Sequence, residues 1–116
     1  MATGRLYCDP DLIRKGDDDK FALQFARIEC HYFVNGGFFD EKDQILKDTY
    51  KILEHKIPTF VVQGRYDVVC PMKSAWDLYR AMPTMELHVI VDAGHSAKED
   101  GICSKLIHAA DQFRKL

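Results

Sequence analysis

Two residues of this 116-residue chain have the types and settings that acid–base chemistry needs. Asp67 lies in Gly64-Arg65-Tyr66-Asp67 and His95 lies in Ala93-Gly94-His95-Ser96. Each segment follows a short apolar run with strand character. If consecutive strands run parallel, both loops leave the same edge of the sheet, and adjacent strands are only about 4.8 Å apart. Open α/β sheets bind ligands at that edge. A carboxylate that orients an imidazole is two-thirds of a nucleophilic triad. The order acid before histidine is that of α/β-hydrolases, whose nucleophile lies upstream of both. Taken singly, each residue has a plainer role, since an Asp after a strand often caps the next turn and a loop His is often only solvated. The pairing, with Gly64 and Gly94 permitting tight turns just ahead, is what points to catalysis.

The elements that must position these residues occupy the second half of the chain. Pro58 opens the run Thr59-Phe60-Val61-Val62, which ends at Gln63-Gly64. An apolar run without polar alternation suits a strand covered on both faces. Pro71 is placed for the first turn of a helix that reaches about Met82 and stops at Pro83. Glu86–Val91 reads as a second strand, and about Ile102 to Arg114 as a helix with Ile102, Leu106, Ala109, Ala110 and Phe113 inward. Trp76 reads as a core residue. This β-α-β-α order is the build of a doubly wound α/β sheet.

The first half reads as helices and loops. Asp17-Asp18-Asp19 offers an N-cap and an acidic first turn. Phe21, Phe25, Ile28 and Tyr32 recur at helical spacing until Asn35-Gly36-Gly37 stops the helix. A second helix is predicted from about Glu41 to Leu53, with Ile45, Leu46, Thr49, Ile52 and Leu53 on one face. Asp9-Pro10-Asp11 predicts at most a short turn. Two strands cannot make a stable sheet with helices on both faces. The α/β half is therefore expected to take neighbours from another chain or from a longer protein.

Composition excludes several function classes. Sixteen Lys and Arg against eighteen Asp and Glu leave a net charge of -2, without a basic surface for nucleic acid or an anionic membrane. No apolar run approaches the ~20 residues a bilayer crossing requires. The Met-Ala-Thr-Gly-Arg start has no apolar core, so no secretory leader is expected. Cys8, Cys30, Cys70 and Cys103 form no C-x-x-C pair, and the adjacent Cys30 and His31 point about 100° apart on a helix. No metal or cofactor is expected, and the thiols are expected to be free in a reducing, cytoplasmic setting.

Three segments together resemble one family. Val61-Val62-Gln63-Gly64-Arg65-Tyr66-Asp67-Val68-Val69-Cys70-Pro71, with Ser74-Ala75-Trp76-Asp77-Leu78, resembles the acid loop of prolyl aminopeptidases (proline iminopeptidases). Asp92-Ala93-Gly94-His95-Ser96 resembles their histidine loop. Phe25-Ala26-Arg27-Ile28-Glu29-Cys30-His31-Tyr32-Phe33 resembles a helix of their cap domain. The resemblance implies an α/β-hydrolase that releases N-terminal proline from peptides by serine acyl transfer, without a metal. It makes Asp67 the triad acid, His95 the general base and Glu29 the cap residue that binds the substrate's free α-amine. It divides the chain into 1–57, the end of a helical cap, and 58–116, the last two βα units of the core. The G-x-S-x-G-G elbow and the H-G-G-P-G oxyanion loop are absent from these residues, whose only serines are Ser74, Ser96 and Ser104. The likeness is thus to the carboxyl-terminal third. By itself the chain is expected to be inactive, and to need the rest of the hydrolase or self-association. The rival readings are another α/β-hydrolase, such as an esterase or epoxide hydrolase, and a non-catalytic fragment or interaction module. Glu29 separates the first rival, since an esterase needs no carboxylate for an amine.

Overall fold

The computed structural model describes residues 4–7, 10 and 19–115. Asp17, Asp18, Cys8 and most of the Asp9–Asp11 turn lie outside the described residues; Asp19 opens the first described helix. In chain order the elements are α1 (Asp19–Val34), a 3-10 turn (Gly36–Phe38), α2 (Gln44–Lys47), α3 (Thr49–Glu54), β1 (Phe60–Gly64), α4 (Met72–Ala81), β2 (Glu86–Ile90) and α5 (Asp100–Phe113).

β1 and β2 are immediate neighbours and run parallel, with Phe60 opposite Glu86 and Gly64 opposite Ile90. Side chains alternate between sheet faces, and the two faces carry different helices. Phe60 stacks on His88 at 4.3 Å between ring centroids and lies 6.5 Å from the His108 ring of α5. On the other face, Val61 and Gln63 border the same groove as Ala75 and Leu78 of α4. Both faces are therefore covered, as the uninterrupted apolar run implied. α5 crosses β2 closely enough that a Cβ on Gly101 would stand 2.6 Å from Ile90 Cγ2.

The fully buried core is small: Ala75, Met82, Met85, Ala93, Ile102 and Ala109, with Thr49 the one buried polar residue among those described. The aromatic and branched residues that would ordinarily dominate a core stay partly exposed. Trp76, expected in the core, is 49% exposed and stacks on Tyr79 at the surface of α4. Leu106 and Phe113, expected to face inward on α5, are each about two-fifths exposed, and Ala110 is exposed. The physical reason is width. Two strands span less than the apolar faces of the helices laid on them, so the outer rows of those faces find no partner within these residues.

The predicted Glu41–Leu53 helix is two short ones. Asp48, at φ -87° and ψ 0°, interrupts it, and the Thr49 hydroxyl donates back to the Leu46 carbonyl at 2.9 Å. Asp and Thr side chains compete with helical backbone bonds in this way. Leu46, Ile52 and Leu53 are half-buried and Thr49 is buried, but Ile45 turns outward. Pro71 sits one residue earlier than predicted, as the N-cap of α4.

The pairing continues beyond the strands. Arg65 N–H donates to Ile90 O and Tyr66 N–H to Ala93 O, both at 2.9 Å. The two loops can approach because position 64 has no side chain: a Cβ there would lie 1.9 Å from Gly94 O and 2.8 Å from Ala93 O. Backbone cannot yield as a flexible side chain can. Gly64→Ala should therefore lower the urea midpoint by an amount equivalent to at least the 1–3 kcal/mol typical of overpacking, about; an unchanged midpoint would contradict this packing.

Candidate active site

Asp67 and His95 meet where the two zipped loops end. Asp67 Oδ2 accepts a hydrogen bond from His95 Nδ1 at 3.0 Å, although 28 residues separate the two in sequence. The Asp67 side chain is 7% exposed and that of His95 is 42% exposed, so the acid is held inside and the ring faces outward.

The acid is fixed from several sides. Its Oδ1 accepts the backbone N–H groups of Val69 at 3.0 Å and Cys70 at 2.8 Å. These bonds turn the chain from the end of β1 toward α4, so the ordinary turn-capping role and the contact with His95 are filled by different oxygens of one carboxylate. Gln63 Nε2 reaches Asp67 Oδ2 at 3.4 Å and also donates to the carbonyls of Gly64 and Cys70, each at 3.1 Å. The Gln63 side chain thus spans the acid loop from within. Nothing in the residue pattern marks it, because an amide at the end of an apolar strand has no distinctive spacing.

Burial pushes the Asp67 carboxyl upward. The Cys70 N–H, the hydrogen bond and charge of His95, and the Val69 N–H outweigh it, and hold the group below the ordinary carboxylate range. Asp67 is accordingly ionised at neutral pH and can only accept. The hydrogen between it and His95 must sit on Nδ1, which leaves the Nε2 lone pair free on the exposed side of the ring. Such an imidazole is set up to take a proton from a neighbouring hydroxyl. Hydrogen bonds to charged groups contribute about 1.5–3 kcal/mol, and the half-exposed ring places this one toward the low end.

The histidine loop is tied down along its backbone. His95 N–H donates to Gly4 O at 2.9 Å. The N–H groups on either side, from Gly94 and Ser96, donate to the carboxylate of Glu99. Ser96 Oγ accepts from Arg5 Nε and from the Lys98 N–H, and neither it nor Ser74 nor Ser104 is hydrogen-bonded to His95. Glu29 stands apart from this cluster. It is exposed on α1, which has no buried residue and packs chiefly on the 3-10 turn after it.

Among the described residues, no group of three or more His, Cys, Asp or Glu side chains comes together as a metal site, and Cys30, Cys70 and Cys103 are free thiols. No described helix is long and apolar enough to cross a membrane. A groove of roughly 830 Å³ borders β1 and α4, with Gln63 in its wall but neither Asp67 nor His95.

The ionised acid carries a pH signature. A carboxylate with a depressed folded-state pKa stabilises the fold above its unfolded value, about 3.9, and loses that contribution as pH falls through the folded value. The difference in urea midpoint between the protein and Asp67→Asn should shrink as pH falls below about 4. A difference as large at pH 2 as at pH 7 would contradict the depressed carboxyl.

No family model matches the chain. Individual proteins do. It is 59% identical over 111 residues to a probable proline iminopeptidase of Leptolyngbya boryana, covering 96% of this chain and 34% of that protein. It is 52% identical to the proline iminopeptidase of Arabidopsis thaliana over all 116 residues, 30% of the latter's length. It is 50% identical over 112 residues to that of Xanthomonas citri, covering 97% of this chain and 35% of the relative. The chain spans about a third of the length of the curated relatives it matches. By sequence it is thus similar to the proline iminopeptidases over about a third of their length.

Proposed function

We propose that this chain supplies the acid, the base and the amine-recognition residue of a serine aminopeptidase of α/β-hydrolase fold that releases N-terminal proline from peptides. The observation that carries the reading is the Asp67 Oδ2–His95 Nδ1 bond at the carboxyl ends of two adjacent parallel strands, in a sequence matched by proteins named proline iminopeptidase.

In this mechanism His95 Nε2 removes the proton from a serine hydroxyl as that oxygen attacks the carbonyl of the first peptide bond. The imidazolium formed is stabilised by ionised Asp67, which also keeps Nδ1 protonated throughout. His95 then returns the proton to the departing amine, and the same base activates the water that releases the acyl group. Glu29 faces the substrate's ammonium group, a charge-assisted contact that restricts the enzyme to free amino termini. Residues 1–57 are the end of the cap that carries Glu29, and 58–116 are the last two βα units of the core. The free thiols of Cys30, Cys70 and Cys103 suit a reducing, cytoplasmic setting.

The 116 residues hold no G-x-S-x-G elbow and no H-G-G-P-G loop. Ser96 adjoins His95 and is engaged by Arg5 and Lys98, so it cannot readily take the nucleophile's place. The 116 residues alone should not hydrolyse a proline arylamide or be labelled by a fluorophosphonate. Joined to the upstream two-thirds of the Leptolyngbya boryana relative, they should form an enzyme that does both. Turnover by the 116 residues alone, with labelling of Ser74, Ser96 or Ser104, would contradict the proposal. In the joined enzyme, Glu29→Gln should weaken preference for a free over a blocked amino terminus by about 1.5–3 kcal/mol, read as the ratio of kcat/KM values. An unchanged ratio would remove the role of Glu29.

A further inference from the structure

Glu99 is the N-cap residue of α5, yet its side chain makes no capping bond to that helix. Its carboxylate turns back toward the loop before it. Gly94 N–H donates to both carboxylate oxygens, Oε1 at 3.0 Å and Oε2 at 3.1 Å. Ser96 N–H donates to Oε1 at 3.2 Å. Leu6 N–H, from a segment 93 residues earlier in the chain, donates to Oε2 at 3.0 Å. Glu99 also closes the turn through its own backbone, its N–H donating to Ser96 O at 3.0 Å. One half-buried carboxylate therefore holds the peptide groups on both sides of His95.

The arrangement departs from what local propensity favours. An N-cap side chain ordinarily satisfies a free N–H of its own helix, and here the carboxylate serves the preceding loop instead. Backbone bonds hold this loop at Ala93 O, which accepts from Tyr66 N–H, and at His95 N–H, which donates to Gly4 O, but they leave the peptide groups of Gly94 and Ser96 unfixed. The Glu99 carboxylate supplies the bonds to those two groups, immediately before and after His95.

We propose that Glu99 is the positioning residue for the catalytic base. It sets the backbone of Gly94-His95-Ser96 so that Nδ1 meets Asp67 and Nε2 faces the attacking hydroxyl. This rests on the reading of Asp67 and His95 as the acid–base pair. Glu99 touches neither substrate nor ring and acts only through the loop. The bond to Leu6 adds that residue 6 and the His95 loop share one anchor.

The test uses the joined enzyme described above, with Glu99→Gln and Asp67→Asn compared on a proline arylamide. Glutamine keeps the shape of Glu99 but has one acceptor oxygen, and its amide N–H₂ would face loop N–H groups. For Glu99→Gln, kcat should fall about 10- to 100-fold, the range that misplacing a reacting group by a fraction of an ångström to 1 Å produces, with KM unchanged within about twofold and fluorophosphonate labelling slowed in parallel. A purely structural role would lower Tm and leave kcat of the folded enzyme intact; that result, or an unchanged kcat, would overturn the proposal. Should Glu99→Gln fail to fold, amide exchange in the unsubstituted enzyme decides: slow exchange at Gly94 and Ser96 supports the anchor, and exchange at the rate of an exposed loop overturns it. Asp67→Asn distinguishes the two layers. An inactive Asp67→Asn beside a fully active Glu99→Gln removes only the role of Glu99, whereas a fully active Asp67→Asn removes the acid–base pair and the proposal with it.

Discussion

The close approach of the Gly64 backbone to the carbonyls of Ala93 and Gly94 is the constraint on which this structure turns. Parallel pairing brings the ends of β1 and β2 side by side, but pairing stops with the strands. The contact at Gly64 lets the loops remain zipped for a further turn, through Arg65 to Ile90 and Tyr66 to Ala93. Asp67 directly follows Tyr66 and His95 lies two residues after Ala93, and they meet because nothing larger than hydrogen stands between the backbones behind them. The acid–base bond is thus a consequence of sheet geometry carried past the end of the sheet, not of an attraction strong enough to fold two loose loops together.

Around that contact, each side chain of the Asp67–His95 pair is secured by a residue of a different kind. Gln63 braces the acid loop from the strand, with its amide on two carbonyls and the Asp67 carboxylate. Glu99, the N-cap residue of α5, braces the His95 loop. Gln63 lies on β1 and Glu99 is the N-cap at the start of α5, while Asp67 and His95 sit on the loops between, a division of labour suited to precise placement at an exposed edge.

Much of this was legible in the sequence, and the reasons for the remainder are physical. Strands, helices and the shared edge of Asp67 and His95 followed from an apolar run at Thr59–Val62, from Pro71 and Pro83, and from the order of elements. Their boundaries shifted by one or two residues. The Glu41–Leu53 helix broke because the Thr49 hydroxyl and Asp48 offer the backbone an alternative that periodicity does not register. Trp76, Leu106 and Phe113 were assigned to an inner face that the two-strand sheet is too narrow to cover. Helical spacing likewise set Phe21, Phe25, Ile28 and Tyr32 on one face of α1 but not what lies against it; all four remain more than two-fifths exposed. Gln63 and Glu99 escaped notice for a different reason. Each works through backbone groups, and a side chain that binds backbone leaves no partner residue to recognise.

The central claim is that this chain holds its histidine as a base, with the proton on the nitrogen facing Asp67 and the other nitrogen free. The most direct measurement is the ¹⁵N spectrum of the His95 ring at a pH where it is neutral, recorded on this chain. Free neutral imidazole side chains favour the proton on Nε2. The account predicts the opposite tautomer, Nδ1–H, with its proton shifted downfield by the Asp67 carboxylate and that shift lost in Asp67→Asn. A His95 ring protonated on Nε2, or one averaged between tautomers as in free histidine, would contradict it.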